Sequence, residues 1–180
     1  MTRGARAVVF DMDGVLVDSG AHHRDAWRAT FRDLGLTPPA EFWRITIGRP
    51  ADEAVALLVD GVDRAEARRL AEMKRQHYTR RDLERVLDAL GLRPRFDVVV
   101  TADDVRWGKP HPEVYLKAAA GLGVDPSACV VFEDAVVGVQ SARAAGMRVI
   151  GVTSAHTSEE LVSAGAERAV ADFEDVRWPV

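Results

Sequence analysis

Two acidic pairs and one lysine are the side chains best suited to chemistry. Asp11-Met12-Asp13-Gly14 follows a short apolar run, Ala7 to Phe10, and Glu133-Asp134 follows another, Cys129 to Phe132. If both runs are strands of one open α/β sheet, the crevice beyond their carboxyl ends receives all four carboxyl groups. Like charges gathered there repel one another. A hard divalent cation would neutralise them, and oxygen-only ligands with a few waters suit Mg²⁺. Calcium in an EF-hand loop does not fit. That loop needs a ligand at its fifth position and glycine at its sixth, where this chain has Val15 and Leu16. Each pair taken alone has a plainer reading. Asp and Gly are ordinary turn residues, and Asp134 is well placed to cap a helix from Ala135 onward.

Lys109 lies in Gly108-Lys109-Pro110-His111-Pro112. The prolines at 110 and 112 restrict the backbone around it. An ammonium held in such a loop is a point charge able to bind a phosphoryl oxygen or to hold a nucleophilic carboxylate. Lysine is also uncommon here: Lys74, Lys109 and Lys117 are the three among 24 basic side chains. The plainer alternative is a lysine in a surface loop.

These residues need a scaffold that brings distant strand ends together. The chain has 180 residues, is 47 % hydrophobic and carries a formal net charge of −4. That is enough apolar material for one ordinary core with a small insert. The mild acidity and the lack of a basic stripe argue against nucleic acid as a partner. The single cysteine, Cys129, excludes a disulfide framework and a thiolate zinc site, and is expected to be a small core residue. No apolar run approaches the length needed to span a bilayer, and the N-terminus lacks the apolar stretch of a secretory signal. A cytoplasmic address and no membrane partner are therefore expected.

Residues 20–80 carry helical periodicity throughout: 21–34, a helix from about Ala51, and a charged one from about Arg64 to Tyr78. Beyond 80 the pattern alternates. Helices are expected over 81–90, 112–121, 135–145 and 158–164, and strands over Phe96–Thr101, Cys129–Phe132, Arg148–Val152 and Ala169–Ala171. Strand–helix alternation predicts βαβ units and a parallel sheet covered on both faces. The expected fold class is α/β: a Rossmann-like three-layer parallel-sheet core formed by residues 1–16 and 80–180, with an inserted α-helical cap over residues 17–79.

Three stretches together resemble the haloacid dehalogenase (HAD) superfamily, in its phosphatase and β-phosphoglucomutase-like branch. They are Phe10 to Ser19 (FDMDGVLVDS), Gly108 to Glu113 (GKPHPE), and Val131 to Ala135 (VFEDA) with Gly138 and Ala144-Ala145-Gly146-Met147. The motifs come in the family's order and span nearly the whole chain. The resemblance implies that Asp11 is a nucleophile forming an aspartyl-phosphate and Asp13 a general acid/base. It implies that Lys109 steadies Asp11 and the phosphoryl charge. It implies that Mg²⁺ is held by Asp11, the backbone carbonyl of Asp13 and Asp134, with Glu133 as a ligand or just behind. Asp13 argues against a true dehalogenase. The cap would choose the substrate, and His23, Arg49 and Lys74 resemble its substrate-facing positions. The implied activity is Mg²⁺-dependent hydrolysis of a small phosphorylated metabolite, most simply a sugar phosphate, by a monomer or homodimer. A β-phosphoglucomutase-type transfer is the enzymatic alternative.

The chain departs from this family in one place. Members carry, after the cap, a strand ending in Ser or Thr. Here the last cap helix runs directly into Thr79-Arg80-Arg81-Asp82-Leu83, and no strand-like apolar run lies between residues 48 and 95. A helix and a strand, on the order of two dozen residues, are missing, about what a parallel crossover requires. Phe96–Thr101 then has no neighbour unless it moves beside Ala7–Phe10, and Thr79 is the nearest hydroxyl. The loss motivates a third reading, an inactive, truncated structural or interaction module.

Overall fold

A computed structural model describes residues 4–18, 20–38, 40, 42, 46, 51–58, 62–76, 80–174 and 176–177. Arg49 and Thr79 lie outside these described residues. The chain divides into two compact units, Met1–Asp18 with Asp97–Val180, and Ser19–Phe96. The sequence pattern places 80–96 in the core; these residues group with the helical unit instead.

The first unit is built on four parallel strands: β1 (Ala7–Phe10), β2 (Cys129–Glu133), β3 (Arg148–Val152) and β4 (Arg168–Val170), in the order β1-β2-β3-β4. The register is continuous, with Ala7 opposite Cys129, Val131 opposite Val149 and Gly151 opposite Ala169. Among the described residues three helices serve as crossovers within this unit, following four described helices of the other unit along the chain: α5 (Glu113–Leu122), α6 (Val136–Ala144) and α7 (Ser158–Ala164). Alternation along the strands sorts the core into two faces. Val9, Val131 and Val149 pack with Ala119, Val139, Ala142 and Leu161 of the three helices. Val8, Val130, Phe132 and Ile150 pack with Val15 and Leu16 of the loop after β1 and with Val176. The β2 strand is wholly buried, as a run of Val and Phe in a parallel sheet requires.

Helix ends follow local chemistry. Thr157 caps α7 through Glu160 N–H, and the Glu160 carboxylate answers the Thr157 N–H, a reciprocal capping box. Gly123 closes α5 at φ 65°, a left-handed turn that glycine adopts without strain.

Phe96–Thr101 does not form a strand. Residues 96–100 belong to no regular element, and among the described residues 97–100 make no hydrogen bond. Three consecutive valines (98–100) favour a strand, but that preference expresses packing against neighbours, and among the described residues no strand pairs with them.

The second unit is helical: α1 (Gly20–Asp33), α2 (Ala51–Leu58), α3 (Arg64–Gln76) and α4 (Arg80–Ala89). Its core joins Trp27 and Phe31 of α1, Phe42, Val55 of α2, and Ala67 and Leu70 of α3. Phe42 meets Trp27 and Phe31 edge-on, with ring centroids 4.9 and 4.8 Å away, the arrangement ring quadrupoles favour. Among the described residues no helix is long and apolar enough to cross a membrane.

Candidate active site

The carboxyl ends of β1 and β2 lie side by side, so Asp11 and Glu133-Asp134 emerge together. Asp11 N–H donates to Phe132 O at 2.9 Å, carrying the ladder one residue past the strand. The chain then folds back on itself. Leu16 and Val17 N–H reach Met12 O, and Gly14 N–H donates to Val17 O at 2.8 Å. Gly14 has φ 78°, and a β-carbon there would lie 1.9 Å from Asp134 Oδ2. Both the left-handed backbone and the close approach demand glycine.

Lys109 joins the two strand ends. Its ammonium donates to Asp11 Oδ1 at 2.7 Å and to Glu133 Oε1. Glu133 is fully buried, whereas the Lys109 and Asp11 side chains keep 17 % and 23 % exposure, so the pair opens toward solvent on the Asp11 side. Tyr115 on α5 donates its hydroxyl to Glu133 Oε1 at 2.9 Å, and Ala135 N–H donates to Oε2 at 2.8 Å. The Lys109 ammonium also sits 5.4 Å from the Tyr115 ring centroid, within cation–π range. Gly138 on α6 leaves room for all this, since a β-carbon there would lie 1.8 Å from Glu133 Oε1. The Lys109 loop is tied to α6 by the buried Ser141 hydroxyl, which donates to His111 O at 2.7 Å.

Asp134 is held from β3's end. Ser154 Oγ donates to its Oδ2 at 3.1 Å, and His156 Nδ1 lies 3.0 Å from its backbone carbonyl. One oxygen each from Asp11, Glu133 and Asp134 falls within 4.8 Å of the others. Three carboxylates face one ammonium, and burial, reinforced by the excess negative charge, shows in the acidities. Burial pushes Asp11 up to about 6; Lys109 opposes this, while Glu133 and Asp13 add to it. Burial, then Glu133 and Asp11, push Asp134 up to about 7 against the Ser154 hydrogen bond and Lys109. For Lys109, burial disfavours the charged form, but Asp11 and Glu133 outweigh it and hold its pKa well above the usual lysine value. Burial and the Glu133 charge raise the Tyr115 phenol, so it stays a donor.

The trio suits a divalent ion. Its donors are hard carboxylate oxygens, two of them resist ionisation without a counter-charge, and their net excess over Lys109 is what a dication would balance. Each Glu133 oxygen already has donors, so Asp11 and Asp134 are the members left to face an ion directly.

Of the residues singled out in the sequence, Asp11, Lys109, Glu133 and Asp134 come together. Asp13 sits in the same loop, bridged to Val17, but is not one of the clustered trio. His23 and Lys74, on α1 and α3 of the helical unit, meet with Lys74 Nζ 3.0 Å from His23 Nδ1. Tyr115, Ser154 and His156 are functional neighbours that the sequence does not single out. Tyr115 follows Lys109 by six residues, two beyond the GKPHPE stretch, and that nearness is the one signal that could have flagged it. Ser154 and His156 carry none, because only the fold brings the end of β3 beside Asp134.

A family model, "haloacid dehalogenase-like hydrolase", matches residues 77–146. The validoxylamine A 7'-phosphate phosphatase of Streptomyces hygroscopicus subsp. limoneus is 33 % identical to this chain, covering 97 % of both proteins. The fructose-1-phosphate phosphatase YqaB of Escherichia coli is 35 % identical, over 81 % of this chain and 95 % of its own. Among solved structures, a β-phosphoglucomutase from Clostridium difficile superposes with a TM-score of 0.76 at 26 % identity, covering 97 % of this chain and 94 % of the other. The chain therefore belongs to the haloacid dehalogenase-like hydrolases, in the branch that joins phosphatases to β-phosphoglucomutase-like folds. The alignment with the Streptomyces phosphatase runs over 208 positions, more than the 180 residues of this chain. That relative thus carries upward of two dozen residues that this chain lacks.

Proposed function

We propose that this chain is a phosphomonoesterase acting on a small phosphorylated metabolite, with sugar phosphates as the first class to try. The observation that supports it most is the Lys109 ammonium fixed on Asp11 Oδ1 at 2.7 Å, beside Asp134 at the shared end of β1 and β2. A carboxylate so held is oriented for attack while its charge is balanced. The names of the two phosphatase relatives support phosphate esters as substrates, one being named for validoxylamine A 7'-phosphate and the other for the sugar phosphate fructose 1-phosphate.

In this reading an Asp11 oxygen bonds to phosphorus as the ester P–O bond breaks. Asp13 supplies the proton that the departing alkoxide takes up. Asp13 then takes a proton from water, whose oxygen attacks the phosphorus and frees Asp11 and inorganic phosphate. Lys109 stays charged throughout and faces the phosphoryl oxygens. Asp11 and Asp134 would hold Mg²⁺, with Glu133 fixing Lys109 behind them. When bound, the ion supplies counter-charge to the phosphoryl group. On the helical unit, His23 and Lys74 offer nitrogen donors for substrate hydroxyl or anionic groups.

The test is phosphate release from a panel of sugar, nucleotide and small-acid phosphates, with and without Mg²⁺. Asp11→Asn should lower kcat by at least about a thousandfold, the scale of removing a covalent nucleophile, with the fold intact by circular dichroism. An active, purified Asp11→Asn protein defeats the nucleophile assignment. The β-phosphoglucomutase neighbour gives a second reading a foothold. Incubation with β-glucose 1-phosphate separates the two: free phosphate marks hydrolysis, glucose 6-phosphate marks transfer.

A further inference from the structure

The short segment between β3 and α7, residues 153–157, is fixed at both ends. Thr153 N–H donates to Val170 O at 2.9 Å, and Thr157 opens the capping box of α7. Between these anchors the segment meets Asp134 twice. Ser154 Oγ donates to Asp134 Oδ2 at 3.1 Å, and His156 Nδ1 lies 3.0 Å from the Asp134 carbonyl oxygen. Gly14 crowds the same carboxylate oxygen: a β-carbon there would meet Oδ2 at 1.9 Å and Ser154 Oγ at 3.1 Å. Among the described residues Asp134 is the one hydrogen-bond partner of the Ser154 hydroxyl, and Asp134 Oδ1 takes no hydrogen bond. Asp11 is divided in the same way, with Oδ1 held by Lys109 and Oδ2 left over. Each aspartate therefore has one oxygen engaged and one to offer.

That division bears on which ion fits. Ca²⁺ gathers about six to eight oxygens and accepts carboxylates through both of theirs, whereas Mg²⁺ demands a smaller octahedral set and keeps several waters. We propose that Ser154 is a positioning residue: it occupies one oxygen of Asp134, so that the aspartate presents the other alone, and this presentation favours Mg²⁺ over Ca²⁺. The inference rests on the reading of Asp134 as an ion-holding residue in the proposed function. It goes further by assigning the choice of ion to a side chain outside the carboxylate trio. Without the hydroxyl, the Asp134 carboxylate is free to turn about its terminal bond while its backbone carbonyl stays beside His156. It can then offer both oxygens, which suits the larger ion. Partners standing behind a ligand in this manner commonly govern how tightly a metal is held.

Binding is read without turnover, from the water-proton relaxation of Mn²⁺ bound to the purified full chain, with Mg²⁺ and Ca²⁺ as competitors. Ser154→Ala should weaken Mg²⁺ about tenfold, the scale of losing a partner behind a ligand, and leave Ca²⁺ as tight as before or tighter. Ser154 is exposed, so the circular dichroism of the variant should match the parent. Ser154→Thr, which keeps the hydroxyl, should keep the parent's preference for Mg²⁺. Asp134→Asn checks the underlying reading and should lose most of the Mg²⁺ binding. If Asp134→Asn binds Mg²⁺ as the parent does, Asp134 holds no ion, and the site reading falls together with the proposal. If Asp134→Asn loses the ion while Ser154→Ala keeps the parent's preference, the site reading stands and the proposal is overturned. Equal weakening of both ions in Ser154→Ala also overturns it, by giving the hydroxyl a merely structural role. So does a Ser154→Thr protein that behaves like Ser154→Ala.

Discussion

At the scale of single residues, the site is a chain of constraints that ends on Asp11. Tyr115 holds Glu133, Glu133 holds Lys109, and Lys109 holds Asp11. Tyr115→Phe deletes the first link without opening a cavity. Buried acceptors that lose a donor cost about 1–3 kcal/mol, here softened because Glu133 retains Lys109 and the Ala135 N–H. The expected result is a stability loss near ~1 kcal/mol by denaturant titration. A drop in kcat of about tenfold with KM little changed should accompany it, since the lost link orients Lys109 in the reaction rather than in binding. A variant that loses KM and kcat together would place Tyr115 against substrate instead. Asp11, Glu133 and Asp134 were legible in the sequence because charged residues directly after apolar runs need a reason to be there, and Lys109 because it stands in a proline-restricted loop of a lysine-poor chain. Tyr115 was not, because an aromatic in a helix is ordinarily core.

At the scale of elements, β1, β3 and α7 run over the residues expected from their patterns, and the other regular elements differ by a few residues at their ends. The strand expected at Phe96–Thr101 is the informative difference. Apolar β-branched residues specify a wish to be paired; pairing itself depends on a neighbour elsewhere in the chain, which a local pattern does not record. Between residues 48 and 95 the apolar stretch Ala54 to Val59 lies in a segment of helical periodicity, so the sequence offered no second strand there. A smaller coupling between elements was invisible from sequence. Ser141, wholly buried on α6, donates to His111 O and so fastens the loop carrying Lys109 to a helix of the core. Ser141→Ala leaves that carbonyl without its side-chain donor. Stability should fall by about 1 kcal/mol, and amides of residues 108–112 should exchange faster, while those of β2 and β3 stay as protected as before. Uniform acceleration across the sheet would show that the hydroxyl supports the core at large and not the loop.

At the scale of the whole molecule, folding gathers carboxyl groups that the unfolded chain keeps apart, and the molecule's stability must register that. The unfolded reference for both aspartates is near 3.8, while in the fold Asp11 rises to about 6 and Asp134 to about 7. The folded state therefore binds more protons than the unfolded one between roughly pH 4 and 7, so stability falls as pH rises through that window. A tenfold change in an acid constant corresponds to about 1.4 kcal/mol. Asp134 alone sets an upper bound of about 4 kcal/mol, which residual solvation and local relaxation will reduce. Denaturant titrations in a chelator should give a less stable protein at pH 8 than at pH 5. Asp134→Asn should flatten the difference by removing the larger contributor. Mg²⁺ should restore stability at pH 8 and have little effect at pH 5, because protons and the cation compete for the same oxygens. If Mg²⁺ stabilises both conditions equally, it binds elsewhere and the carboxylate trio is no metal site. If the chelated protein is instead more stable at pH 8, the aspartates ionise freely and charge crowding at the ends of β1 and β2 does not govern the molecule's response to pH.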